Sequence, residues 1–129
     1  MKTISVIVPC YNEEKALPFF LQEVRSVLER MMEDEELAYE LLFINDGSTD
    51  GTLQLLRDAA RQDNHVQYLS FSRNFGKEAA MYAGLQHCKG DYAAVMDADM
   101  QDPPSLPPQM YAPVRSGEYE RVGAGRVSR

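Results

Sequence analysis

Four short apolar runs, each breaking abruptly into a polar segment, constrain the fold of this chain most. They are Ile4–Pro9 (ISVIVP), Tyr39–Asn45 (YELLFIN), Val66–Phe71 (VQYLSF) and Tyr92–Met96 (YAAVM). Continuous, partly β-branched runs of this length predict strands covered on both faces, as in a parallel sheet. Helical patterns lie between them. The first spans about Ala16 to Met32, with Leu17, Phe20, Leu21, Val24 and Leu28 on one face. A second spans Thr52 to Gln62, and a third Glu78 to His87, where Ala79, Ala80, Ala83 and Leu85 permit close packing on a sheet. The acidic stretch Glu33–Glu36 reads as a solvated connection. Beyond Pro104 a short helix over Ser105–Ser116 is expected, limited by Pro107, Pro108 and Pro113, and Tyr119–Arg129 is expected to start another strand. Strand and helix alternate. The expectation is an α/β, Rossmann-like, mostly parallel doubly wound sheet with flanking helices and right-handed crossovers, and 129 residues suffice for one domain.

Open parallel sheets bind ligands at the carboxyl ends of their strands. Pro9–Glu13, Asp46–Ser48, Arg73–Lys77 and Asp97–Gln101 each follow one of the runs, so all four polar clusters are expected on one edge. The last of them, DADMQDPP, delivers Asp97, Asp99, Asp102 and the amide of Gln101 to a single loop. Like charges so close want a cation, and hard oxygen donors suit Mg2+ or Mn2+, whose coordination shell is completed by water and substrate phosphates. Taken alone, a D-x-D is more often a polar turn. The sorting of four clusters onto one edge favours a site.

The type of ligand follows partly by exclusion. PCYNEE after the first strand lacks the glycines of a dinucleotide fingerprint, and no G-x-x-x-x-G-K-[ST] occurs. A diphosphate would therefore be held through a metal on the Asp97/Asp99/Gln101 loop, helped by Lys77 or Arg73. Tyr11 can stack on a nucleobase, and Asp46 or Glu13 can accept hydrogen bonds from base or ribose. The balance of 20 Asp and Glu against 13 Lys and Arg argues against nucleic acid as partner. Two cysteines, Cys10 and Cys88, without zinc or disulfide spacing, point to a reducing cytoplasm. Neither a signal peptide nor an apolar run of about 18 residues is visible. Ser48 and Asp50 read as helix caps, Cys10 as a structural thiol, and Arg73 as either a phosphate contact or an ion-pair partner.

VIVPCYNEE, FINDGSTDGT, SFSRNFGKEAAMYAGL and DADMQDPP, in this order and spacing, resemble the family 2 glycosyltransferases of GT-A fold. Within these the chain is most similar to the polyprenyl-phosphate sugar transferases, namely undecaprenyl-phosphate glucosyl- or aminoarabinose transferases and dolichyl-phosphate mannosyltransferase. The resemblance covers about Ser5 to Pro104. It implies nucleotide-sugar binding by Pro9, Tyr11, Glu13, Asp46, Lys77, Asp97, Ala98 and Asp99, with Asp46 contacting the base. It also implies metal binding by Asp97, Asp99 and Gln101, with Mg2+ or Mn2+ as cofactor. The implied chemistry is inverting transfer of a hexosyl group from a UDP- or GDP-sugar to an acceptor, a polyprenyl phosphate in the most similar branch. Ser105 departs from the Glu common after the double proline, and RVGAGRVSR matches only loosely. The general base and acceptor-side loops are expected after Arg129, which makes residues 1–129 the donor-binding part. Two rivals remain: a phosphotransferase with Asp97 as nucleophile, which leaves PCYNEE and NDGSTDGT without a role, and a non-catalytic nucleotide-sugar-binding module.

Overall fold

The computed structural model describes residues 2–35, 37–98 and the short strands 112–115, 118–119, 121–123 and 126–128. The chain runs β1 (Lys2–Cys10), α1 (Leu17–Glu35), β2 (Leu37–Asn45), α2 (Thr52–Gln62), β3 (Val66–Ser70), α3 (Lys77–His87) and β4 (Tyr92–Val95), then β5 (Ala112–Arg115), β6 (Glu118–Tyr119), β7 (Arg121–Gly123) and β8 (Arg126–Ser128). The main sheet has the order β3-β2-β1-β4-β5-β6, and β7 and β8 form a separate antiparallel hairpin. β1 pairs in parallel with β2 along its whole length and with β4 over Ile4–Ile7, while β3 joins the far side of β2 in parallel. The predicted parallel α/β core is present.

Alternation along the strands assigns each face its helices. Ile4, Val6, Val8 and Cys10 of β1, with Leu37, Tyr39, Leu41 and Phe43 of β2, pack against Leu17, Phe20, Leu21, Val24 and Leu28 of α1 and Leu56 and Ala59 of α2. The opposite faces, Ile7 of β1, Leu42 and Ile44 of β2, and Ala93 and Val95 of β4, pack against Ala80, Met81 and Leu85 of α3. Each fully buried Leu, Ile or Phe contributes about 1.5–3 kcal/mol. The chain thus winds from β1 to β3 on one face, crosses over, and returns through α3 to β4 on the other side of β1. The strand order therefore reverses between β1 and β4, and the carboxyl edge at that switch point is where such sheets bind ligands.

The opposite edge is closed by a buried polar lock. Ser5 and Glu40 are register partners on β1 and β2, and the Glu40 carboxylate accepts the Ser5 hydroxyl and, at 2.7 Å, the Lys89 N–H. Gly90 N–H then donates to Ser5 Oγ at 2.9 Å. These bonds hold the turn from α3 into β4, which fixes where β4 begins and therefore where Asp97 emerges.

Three expectations need correction. Glu33–Glu35 belong to α1 rather than to a connection: glutamate favours helix, and the apolar stripe of Leu28 and Met31 carries the helix on. Ala112–Arg115, expected as the end of a helix, is a strand antiparallel to β4, where it satisfies an open sheet edge while Pro113 forbids helix continuation; Ser105–Tyr111 lie outside the described residues. The single strand expected over Tyr119–Arg129 is instead the end of β6 and the β7–β8 hairpin.

α3 packs so closely that a Cβ built on Gly84 would lie 2.4 Å from Ile7 Cγ2. Gly84→Ala should therefore destabilise the chain by about 1–3 kcal/mol through overpacking, read from urea unfolding at unchanged m-value. A stabilising effect, as expected for Gly→Ala on an open helix face, would contradict this packing.

Candidate functional site

The loop after β1 is built jointly with the loop after β2. Asn12 adopts φ 54°, a left-handed conformation that asparagine tolerates better than most residues. Its N–H donates to Ser48 Oγ at 2.9 Å, and its Oδ1 accepts the Thr49 N–H at 2.8 Å. Glu13 N–H donates to Thr52 Oγ1 at 2.9 Å, while the Glu13 carbonyl accepts the N–H groups of Ala16 and Leu17 and so starts α1. Gly51 N–H donates to Glu14 Oε1 at 3.1 Å, and Glu14 N–H to Asp50 Oδ2 at 3.3 Å. Asp50, the residue before the N-cap Gly51, also accepts the Thr52 N–H at 2.9 Å and the Thr52 hydroxyl at Oδ1, so its carboxylate satisfies the first amide of α2 from outside the N-cap position. Ser48 does not cap; it ties the two loops together.

Two groups here depart from ordinary acidity. Desolvation opposes the charge of Asp50, but hydrogen bonds from the Thr52 hydroxyl and from the Thr52 and Glu14 amides outweigh it and hold the carboxyl below the usual range. Cys10 is the reverse case: burial, reinforced by the Glu13 carboxylate, pushes its thiol far above the usual value. That direction works against a thiolate nucleophile, and the Cys10 thiol instead donates to the Val8 carbonyl at 3.5 Å.

The loop after β2 is joined in turn to the loop after β3. Asp46 is 3% exposed, and its Oδ1 and Oδ2 accept the N–H groups of Phe75 at 2.7 Å and Gly76 at 3.1 Å. Asn74 Nδ2 donates to the Asp46 carbonyl at 3.2 Å, and Asp46 N–H to the Cys10 carbonyl at 2.8 Å. Gly47, at φ 71°, lets the chain pass: a Cβ there would sit 2.1 Å from the Arg73 carbonyl carbon. Among the described residues Arg73 forms no ion pair; its guanidinium lies 5.0 Å over the Phe75 ring, which packs edge-on against Phe71 at 5.5 Å.

The fourth loop closes the set. Lys77, first residue of α3, places Nζ 2.5 Å from Asp97 Oδ1 just beyond β4. Both side chains are more than half exposed, at 57% and 53%. Such a pair contributes little to stability, so it can exchange partners at small cost.

Each predicted residue can now be placed. Pro9 is buried at the end of β1 and paired with Ile44, Tyr11 is exposed at 47%, and Glu13 is half-buried in the same loop. Asp46, Lys77, Asp97 and the buried Ala98 follow β2, β3 and β4 on the same edge. Asp99 and Gln101, and Asp102 with them, lie outside the described residues. Among the described residues no three His, Cys, Asp or Glu side chains cluster as a metal site. The chemistry of the donor fits: the Asp97 carboxylate already faces solvent with a cation against it. His65 stacks on Tyr39 at 4.1 Å beside Asp63, and His87 bonds the Ala83 carbonyl, both outside the site. Asn12, Gly47 and Asn74 were not singled out from sequence; Asn12, an asparagine between a strand end and a helix start, carried the one legible signal.

The model of glycosyl transferase family 2 matches residues 5–129. The chain belongs to that family. It is 42% identical to a bactoprenol glucosyl transferase of Shigella phage SfV over 114 residues, which are 88% of this chain and 36% of that protein. It is 37% identical to an undecaprenyl-phosphate 4-deoxy-4-formamido-L-arabinose transferase of Proteus mirabilis over 127 residues, 98% of this chain and 37% of that protein. The chain thus spans little more than a third of the length of these relatives. Among solved structures, the mannosyltransferase PcManGT of Pyrobaculum calidifontis, in complex with GDP-Man and Mn2+, superposes with a TM-score of 0.63 at 26% identity over 74% of this chain and 27% of that one. The expected family and GT-A fold are thereby shown, and the Asp-nucleophile phosphotransferase loses its support.

The cap at α2 gives a pH-dependent prediction. Because the folded-state acidity of Asp50 is strengthened, its stabilisation is present above the unfolded carboxylate value of 3.8 and is lost as pH falls through the lower folded value. Asp50→Ala should cost about 1 kcal/mol at neutral pH, the usual loss for a helix cap, and the difference from wild type should shrink below pH 4 in chemical denaturation. A difference that persists undiminished in acid would mean that the carboxylate charge is immaterial.

Proposed function

We propose that residues 1–129 are the donor-binding half of an inverting glycosyltransferase that transfers a hexosyl group from a UDP- or GDP-sugar to a polyprenyl phosphate. The observation that carries this reading is that the loops after β1, β2, β3 and β4 share the carboxyl edge around the β1/β4 switch point, with the Lys77–Asp97 ion pair between the third and fourth. The names of the relatives support the lipid-phosphate acceptor, and the GDP-Man and Mn2+ of the mannosyltransferase structure support a nucleotide-sugar donor with a divalent ion.

Pro9, Tyr11 and Glu13 form the base side of the cleft, where Tyr11 offers an exposed ring for stacking, and Asp46 closes that side. Lys77 supplies a cation to the diphosphate once released from Asp97. Asp97, with Asp99 and Gln101, would hold Mg2+ or Mn2+, and Ala98, which separates the two aspartates in sequence, is itself buried. When bound there, such an ion would supply Lewis-acid neutralisation of charge on the diphosphate. The acceptor oxygen attacks the anomeric carbon in line as the bond to the diphosphate oxygen breaks, inverting that carbon and releasing the nucleoside diphosphate. No residue of this chain is assigned as general base. No helix among the described residues is long and apolar enough to cross a membrane, and the site is assigned to the cytoplasmic side, where nucleotide sugars and lipid phosphate can meet.

A thermal-shift panel of UDP- and GDP-sugars with and without Mn2+ tests the reading. One donor class should stabilise the chain by about 2.7 kcal/mol at a hundredfold excess over Kd, only with metal, and Asp99→Ala should abolish the effect. Equal shifts with and without Mn2+ would count against the site.

A further inference from the structure

Tyr11 is the large ring that the loop after β1 leaves exposed, and the residue that follows it, Asn12, is the one non-glycine at positive φ among the described residues. We propose that Asn12 is a positioning residue for the donor base: it pins the backbone beside Tyr11 to the loop after β2, so that the tyrosine ring stands as a fixed stacking platform before a nucleotide arrives. The proposal deepens the donor-site reading and rests on it.

Tyr11 is held on both sides by one neighbouring loop. Before it, the carbonyl of the buried Cys10, at the end of β1, accepts the Asp46 N–H at 2.8 Å. After it, Asn12 N–H donates to Ser48 Oγ at 2.9 Å, and Asn12 Oδ1 accepts the Thr49 N–H at 2.8 Å. The φ of 54° at Asn12 is disfavoured for a residue with a side chain, and such a conformation persists only where the surroundings over-determine it. The reciprocal bonds to Ser48 and Thr49 do so. They are not what starts α1: Glu13 supplies the carbonyl that accepts the Ala16 and Leu17 N–H groups, and its own N–H is bonded to Thr52 Oγ1. What remains for Asn12 to fix is the residue in front of it. At 47% exposure Tyr11 leaves apolar surface in water, and among the described residues no other ring packs on it. An exposed ring on a pinned backbone suits a planar base, and stacking of that kind yields most when the ring is already in place and little freedom is lost on binding.

The test compares ligands with and without a base. Binding of UDP, GDP and inorganic diphosphate, each with Mn2+, is measured by calorimetry on wild type, Tyr11→Ala, Asn12→Gly, Asn12→Asp and the double variant of Tyr11→Ala with Asn12→Gly. Asn12→Gly keeps the left-handed backbone but loses the side-chain bond to Thr49. It should weaken the preferred nucleoside diphosphate about fivefold and leave inorganic diphosphate within about twofold of wild type. Asn12→Asp, which keeps an acceptor for the Thr49 N–H, should bind the nucleoside diphosphate within about twofold of wild type. The double variant should bind it no worse than Tyr11→Ala does. Equal weakening of both ligand types in Asn12→Gly, an equal loss in Asn12→Asp, or fully additive losses in the double variant would overturn the proposal. Amide hydrogen exchange of Thr49 without ligand reads the tie directly: it should accelerate about tenfold in Asn12→Gly, and unchanged exchange sinks the proposal while the donor-site reading stands. Wild type that binds neither nucleoside diphosphate more tightly than inorganic diphosphate, or Tyr11→Ala without effect, would sink the base side of the donor reading and the proposal with it.

Discussion

β1 is hydrogen-bonded to β2 from Lys2 to Cys10 and to β4 from Ile4 to Ile7, and it is buried on both faces from Ile4 onward. Every loop at the carboxyl edge is measured from this strand. A slip of one residue in its register would exchange the Ile4/Val6/Val8 face for the Ser5/Ile7 face and place Ser5 among the leucines of α1. The buried bond between Ser5 and Glu40 makes that slip costly, since either group left without its partner inside the protein would bear the full loss of hydration. A polar pair at one end of the sheet thereby guards the alignment of a site at the other.

The carboxyl edge is held by a different kind of bond. The loops after β1, β2 and β3 are joined by side chains accepting or donating to the backbone of the next loop, as in Asn12 with Thr49, Thr52 with Glu13, and Asp46 with Gly76. These are short side chains with few rotamers, so ordering them costs little entropy. The long side chains of the edge, Lys77 and Arg73, remain exposed, one on Asp97 and one over Phe75. Short side chains thus build the cradle, and the long cationic ones stand on its exposed rim.

Much of this was legible beforehand. The strands announced themselves because runs such as SVIVP and LLFI have no polar face, which suits only a strand covered from both sides, and Thr52–Gln62 began and ended where predicted. That Pro9, Asp46, Lys77 and Asp97 share an edge followed from parallel topology alone. Glu33–Glu35 misled because charge says that a segment is solvated without saying whether it is helical. Ala112–Arg115 misled because its pairing depends on the free edge of β4, a partner remote in sequence.

The sequence by itself determined the order of strands and helices, the family and the set of polar residues delivered to one edge, because these rest on local periodicity and on motifs read along the chain. Only the tertiary structure decided which of those residues face solvent and which are consumed in holding the edge together. Asp46 and Asp97 look alike as letters at strand ends, yet the first is enclosed by amides from a loop about thirty residues away and the second stands open beside a lysine. The physical reason is that the reach of a hydrogen bond is set by distance in space, and loops far apart in the chain come within that distance only after the sheet has formed.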